Sequence, residues 1–195
     1  MGTPQVPKLG GSTPQRGNAL SAALGRCALR LSGWRFDGAI PDVPKGVVIV
    51  APHTSNWDFP LGVAAMFALG LRVTFLGKHT LFGRALGPTM RWLGGIPVDR
   101  SAPSGVVGET VRLFNDREKM ILALSPEGTR SNVKRWKTGF YRIAVDGGVP
   151  IIPVAFDWGA RCIWLGQCFE PTGNVVVDLR ALEAFYEGIH GRRRG

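Results

Sequence analysis

The stretch "APHTSNWDFP", residues 51–60, places His53 five residues ahead of Asp58. An imidazole is a general base near neutral pH, and a carboxylate beside it can fix its tautomer and stabilise the imidazolium. Residues five apart on a continuous helix point to different faces. The pair therefore meets only if His53 lies in a turn and Asp58 in the first turn of a helix. The sequence suits that arrangement. Pro52 stops the preceding apolar run, Thr54, Ser55 and Asn56 are good N-caps, and an acidic residue is favoured at a helix start. The plainer reading is that Asp58 only caps the helix while His53 bonds backbone.

Three further stretches carry groups suited to an anionic or apolar ligand. "LSPEGTRS", residues 124–131, ends another apolar run. In it Gly128 permits a tight turn or a close approach, and Arg130 offers a planar, permanently charged fork for phosphate, with Glu127 beside them. Lys134, Arg135 and Lys137 follow. "GGIPVDR", residues 94–100, supplies Arg100 as a second anion clamp. "GVPIIPVAF", residues 148–156, holds Pro150 and Pro153, which point to an edge or irregular strand and to an apolar wall beside a greasy substrate.

The segments that must position these groups alternate. Strands are expected at 46–51, 72–78, 96–100, 119–125, 150–158 and 161–169, and helices at 58–70, 104–116 and 138–148. A helix at 82–94 is interrupted by Gly87-Pro88, and 175–190 reads as a strand tip running into a helix. This is the pattern of an α/β domain: a mixed, mostly parallel sheet flanked by helices, with catalytic groups at strand ends. Residues 1–17, rich in Pro, Gly, Ser and Thr, read as a flexible tail, and 18–195 as one domain. A short amphipathic helix at 19–31 sets Leu20, Leu24, Ala28 and Leu31 against Arg26 and Arg30. It either packs one face on the core or lies on anionic lipid.

Composition narrows the partners. A hydrophobic fraction of 45% excludes wholesale disorder, and a net charge of +10 favours anionic partners: nucleic acid, acidic headgroups or phosphorylated substrates. Three cysteines without a CxxC pair argue against a disulfide framework or a zinc site. The N-terminus lacks the apolar core of a secretory signal. The longest uncharged apolar run, 59–71, is shorter than the roughly 20 residues a bilayer span needs.

In this order and spacing the four stretches resemble the glycerolipid acyltransferase family, the 1-acylglycerol-3-phosphate acyltransferases. His53 to Asp58 matches its His-x-x-x-x-Asp block, and Gly95 to Arg100 its glycine-rich block ending in Arg. Glu127, Gly128, Thr129 and Arg130 match Glu-Gly-Thr-Arg, and Val149 to Val154 match Val-Pro-Ile-x-Pro-Val. The resemblance spans roughly 45–158. It departs at Ser125, where the family has Phe, and at Pro97, where a bulkier apolar residue is common.

The resemblance implies transfer of a fatty acyl group from acyl-CoA or acyl carrier protein to the hydroxyl of a lysophospholipid, in phospholipid biosynthesis. His53 and Asp58 would be catalytic. Lys78, Arg100, Glu127, Gly128, Thr129 and Arg130 would hold the acceptor. Backbone N–H groups near the helix start after His53 are expected to meet the developing oxyanion. No cofactor or metal is implied. The expected setting is the cytoplasmic face of a membrane, held peripherally through anionic lipid. A hydrolase using the same His–Asp pair is one alternative. A basic nucleic-acid binder is another, although the chain shows no nucleic-acid-binding module.

Overall fold

The computed structural model describes residues 6–98, 105–128 and 136–192. Helix α1 (Ala19–Leu31) and strand β1 (Arg35–Gly38) lead into β2 (Lys45–Ala51), α2 (Asp58–Leu69) and β3 (Val73–Lys78). A short 3₁₀ turn at His79–Phe82 precedes α3 (Gly87–Trp92) and β4 (Gly95–Val98). Then come α4 (Gly105–Asn115), β5 (Met120–Leu124), α5 (Gly139–Asp146), β6 (Ile151–Asp157), β7 (Cys162–Leu165) and α6 (Val175–Ala184).

The seven strands form one sheet in the order β1-β7-β6-β2-β5-β3-β4. Every pairing is parallel except β6 with β7. The domain is thus α/β with a mixed, mostly parallel sheet between helices. The run "KGVVIVA" is apolar on both faces because β2 is covered on both. Its residues alternate. Val48 joins Leu61, Ala65, Ala68 and Leu29 in a core beneath α2 and α1. Val47 and Ile49 join Phe114, Phe140, Ala144 and Leu182 in a second core beneath α4, α5 and α6.

Helix α2, "DFPLGVAAMFAL", is apolar around its whole circumference because it lies between the sheet and α1. Gly25 makes the second contact possible. A Cβ there would stand 2.4 Å from the backbone nitrogen of Ala68 and 2.7 Å from the carbonyl oxygen of Ala64. Of α1, only Gly25 and Leu29 are buried. The Leu20, Leu24 and Leu31 stripe points to solvent, 61–85% exposed. The side of α1 that packs is therefore the one opposite the stripe.

Several sequence expectations are corrected. Strand β6 is not an edge strand: it lies between β7 and β2 and is buried throughout. Pro153 is tolerated because it sits where the β7 ladder breaks. The ladder stops at Val154↔Leu165, and the next contact is the isolated Ile151↔Phe169 bridge. At that break Pro153 needs only its carbonyl, which accepts from the Gly166 N–H at 2.8 Å. The valines at 175–177 open a helix rather than end a strand, because Asn174 caps it by accepting from the Val177 N–H. No helix spans 82–94; its first residues turn before α3.

Residues 6–17 are not a free tail. Thr13 is buried, and Asp42 Oδ1 accepts from the Ser12 and Thr13 N–H groups at 2.8 and 2.9 Å. Arg16 bonds the carbonyls of Trp92 and Leu93 and lies over the rings of Phe67 and Trp92. Strand β1, "RFDG", carries no periodic signal in the sequence.

Candidate active site

The chemistry-bearing residues follow the C-terminal ends of neighbouring parallel strands. His53 follows β2, Glu127 follows the adjacent β5, and Lys78 closes β3 on the far side of β5. This is the edge of an open α/β sheet at which ligands bind. Arg100, Thr129 and Arg130 lie outside the described residues.

Ala51 is the last residue of β2, and α2 begins at Asp58, so the turn between them folds His53 back toward the helix start. His53 Nδ1 stands 3.1 Å from Asp58 Oδ2, with the imidazole side chain 24% exposed and the carboxylate 1% exposed. Asp58 is held by three donors. The Ser55 N–H reaches Oδ2 at 2.8 Å alongside the imidazole, and the Trp158 indole N–H reaches Oδ1 at 2.9 Å. Burial by itself raises the Asp58 pKa. The bonds from His53, Ser55 and Trp158 outweigh it and hold the carboxyl below its ordinary value. In a neutral imidazole this contact places the ring proton on Nδ1, where it donates to Asp58, and makes Nε2 the basic nitrogen.

Glu127 approaches the same turn from β5. Both its oxygens lie 3.1 Å from the His53 backbone N–H, so the carboxylate braces the turn that carries the imidazole. Burial, with Asp58's charge adding to it, pushes the Glu127 carboxyl above its ordinary value despite the opposing His53 contacts. Gly128 follows at φ +66°, closing a turn in which its N–H donates to the Ser125 carbonyl. The end of the flexible Lys137 side chain lies against Gly128. Lys78 is exposed.

The N–H groups expected to meet an oxyanion are largely engaged. Ser55 N–H bonds Asp58, Trp57 N–H bonds Ser55 Oγ at 3.2 Å, and Asp58 N–H bonds the Ser55 carbonyl at 3.2 Å. Beneath the pair an apolar cavity of about 280 Å³ runs between α2 and the sheet. His53 and Asp58 stand at its polar end. Phe59, Val63, Met66 and Leu69 of α2 face Val50, Phe75 and Val154 of the sheet across it. Of the apolar stretch 148–156, Val154 and Phe156 line the cavity. Among the described residues no three His, Cys, Asp or Glu side chains group to hold a metal ion.

Sequence reasoning missed Trp158 and Arg192. Trp158 lies a hundred residues from Asp58 and follows a strand directly, so no local spacing links the two. The Arg192 guanidinium lies 4.8 Å from the Trp57 ring and 5.0 Å from the Trp158 ring.

Comparison with known proteins identifies the family. The chain is 30% identical over 139 residues to a 1-acyl-sn-glycerol-3-phosphate acyltransferase of Escherichia coli, a match covering 68% of this chain and 54% of that protein. It is 27% identical over 134 residues to one of Haemophilus influenzae, covering 64% and 54%. The chain thus spans about half the length of these curated relatives. The fold resembles the crystal structure of the 1-acyl-sn-glycerophosphate (LPA) acyltransferase PlsC of Thermotoga maritima. That match has a TM-score of 0.59 and 21% identity, over 88% of this chain and 80% of that one. The family model described as Acyltransferase matches residues 39–157, from just before β2 to the last residue of β6. The segment that carries His53, Asp58 and Glu127 is the family's own, and the chain belongs to the Acyltransferase family.

Proposed function

We propose that this protein moves a fatty acyl group from a thioester, acyl-CoA or acyl carrier protein, to the hydroxyl of a lysophospholipid such as 1-acylglycerol-3-phosphate. The observation that carries the reading is the His53–Asp58 contact of 3.1 Å at the polar end of an apolar cavity. His53 Nε2 takes the proton of the acceptor hydroxyl as its oxygen attacks the thioester carbonyl. The tetrahedral intermediate collapses, the C–S bond breaks, and the imidazolium returns the proton to the departing thiolate. Asp58 keeps the imidazole in one orientation and stabilises its charged form. The cavity receives the acyl chain. Lys78, Arg100 and Arg130 hold the acceptor phosphate, with Glu127, Gly128 and Thr129 shaping that side of the site.

The exposed stripe of Leu20, Leu24 and Leu31, flanked by Arg26 and Arg30, supports peripheral docking on an anionic membrane, here assigned to the cytoplasmic face. No described helix is long and apolar enough to cross a bilayer. A two-tailed product would leave directly into the lipid.

The test is product analysis by mass. Purified protein is incubated with acyl-CoA or acyl carrier protein and a panel of lysolipids. A diacyl product dependent on both substrates is expected. Free fatty acid at the same rate with and without acceptor would assign a hydrolase instead.

A further inference from the structure

Trp158 stands one residue beyond the segment the family model matches, yet its indole N–H donates to Asp58 Oδ1 at 2.9 Å. A carboxylate held on Oδ2 alone can rotate about its Cβ–Cγ bond. Oδ2 already takes the imidazole and the Ser55 N–H. A third donor on the other oxygen, from a different part of the fold, removes that freedom.

The indole is itself held by several partners. Its backbone N–H donates to the His190 carbonyl at 2.9 Å. Its ring meets Trp34 edge-on, with centroids 5.0 Å apart. Asp157 Oδ1 accepts from the Gly159 and Ala160 N–H groups at 2.9 and 3.0 Å, pinning the turn that carries it. Arg192 lies against both Trp158 and Trp57, the residue just before Asp58. Gly191 is so close to Thr54 that a Cβ there would stand 2.6 Å from Thr54 Oγ1. Trp34, Trp158 and Arg192 all lie outside residues 39–157. The flanks of this chain therefore meet behind the catalytic turn.

We infer that Trp158 is a positioning residue for the His53–Asp58 pair, its indole N–H locking the Asp58 carboxylate while the C-terminal segment, through Arg192, clamps the indole in place. The inference deepens the reading of His53 as a base and rests on it. Among the described residues, the titratable and charged groups facing Asp58 are His53 on its own turn, Glu127 from the turn after β5, and Arg192 across the indole. With the indole N–H gone, Asp58 Oδ1 loses its donor and the carboxyl becomes easier to protonate, because that bond helps hold it low.

The test is Trp158→Phe, which keeps an aromatic ring against Trp34 and Arg192 but removes the N–H. Expected are a fall in kcat of about tenfold, the equivalent of about 1.4 kcal/mol in the barrier. KM for both substrates should stay within about twofold. Arg192→Ala, at the surface, should give the same changes at smaller amplitude, and it carries the test if Trp158→Phe does not fold. A readout independent of turnover is the ¹⁵N spectrum of the His53 imidazole. Wild type should show the Nδ1–H tautomer, and the variants a mixture. Loss of thermal stability with an unchanged tautomer would make Trp158 a packing residue only and overturn the proposal. Absence of acyl transfer in wild type would sink the function reading, while the imidazole spectrum still decides on Trp158.

Discussion

The carboxylate of Glu127 straddles the backbone N–H of His53, each oxygen 3.1 Å from it. The two residues are 74 apart in the chain and follow adjacent parallel strands. The position of the imidazole is thus set by its neighbour strand as well as by its own turn.

Removing that acceptor leaves a partly buried N–H unsatisfied. Glu127→Ala should lower kcat about tenfold or more, and Glu127→Gln, which keeps one acceptor oxygen, should lose less. Steady-state kinetics separate the outcomes. A Glu127→Ala enzyme with normal kcat but a raised acceptor KM would show that Glu127 acts on the acceptor instead of on the turn.

His53→Ala should abolish transfer by about 10²–10⁴-fold with the fold retained. Asp58→Asn should lose nearly as much and also some stability, because the buried site presents three donors to it. Turnover and thermal unfolding measured on the same samples check both. A folded His53→Ala protein with near wild-type turnover would contradict the mechanism.

Arg130→Ala should raise KM for a phosphorylated acceptor by about ten- to a hundredfold, the loss of a charge-assisted bond of about 1.5–3 kcal/mol. Arg130→Lys should recover part of it, since an ammonium cannot form the two-point fork. Hydrolysis of the donor without acceptor should be little changed. An unaltered acceptor KM would make Arg130 structural.

Vesicle co-sedimentation tests the exposed face of α1. Wild type should bind anionic vesicles more than neutral ones, and salt should weaken the difference. Arg26→Glu/Arg30→Glu should lose the preference for anionic lipid. Leu20→Ser/Leu24→Ser should lose the part that salt does not remove. Wild-type binding by both double variants would place the membrane contact elsewhere.

Asp178 reports on the acid side of stability. Burial raises its pKa, but bonds from Tyr141 Oη at 2.7 Å, Thr172 N–H at 2.7 Å and Thr172 Oγ1 at 2.9 Å hold it below the ordinary carboxylate value. A folded pKa below the unfolded value, about 3.9 for Asp, stabilises the protein above pH ~4. That contribution is lost as the pH falls through the folded value. Asp178→Asn should cost about 1–3 kcal/mol at neutral pH and flatten the loss of stability below pH ~4. Urea midpoints from pH 6 to 3 would show it. An unchanged acid slope would mean that other carboxylates, Asp58 among them, carry the whole effect.

What was legible in the sequence was local. The His53–Asp58 geometry follows from a strand stop, a turn and a helix start within ten residues, and the alternation of strands and helices follows from hydrophobic period. What failed depended on distant partners. Residues 6–17 have the composition of a tail, but Asp42 and Gly70 accept their N–H groups. Pro153 signals an edge strand until the break in the β7 ladder is known. The Leu stripe of α1 fits either a core face or a lipid-facing one, and the choice rests on Gly25, the one residue small enough for close approach, which packs the opposite side. Trp158 has no signal at all until β6 is placed beside β2.

The sheet order has a consequence during synthesis. Strand β2 is made early, yet both of its neighbours, β5 and β6, are made after the helices and strands that follow it. His53 waits 74 residues for Glu127, and Asp58 waits a hundred for Trp158. A nascent chain ending near β4 has β2 with neither partner strand, and closing such long loops makes folding slow. A ribosome-stalled chain released before residue 158 should therefore remain protease-sensitive throughout α2, and the site should form only as the last quarter of the chain emerges.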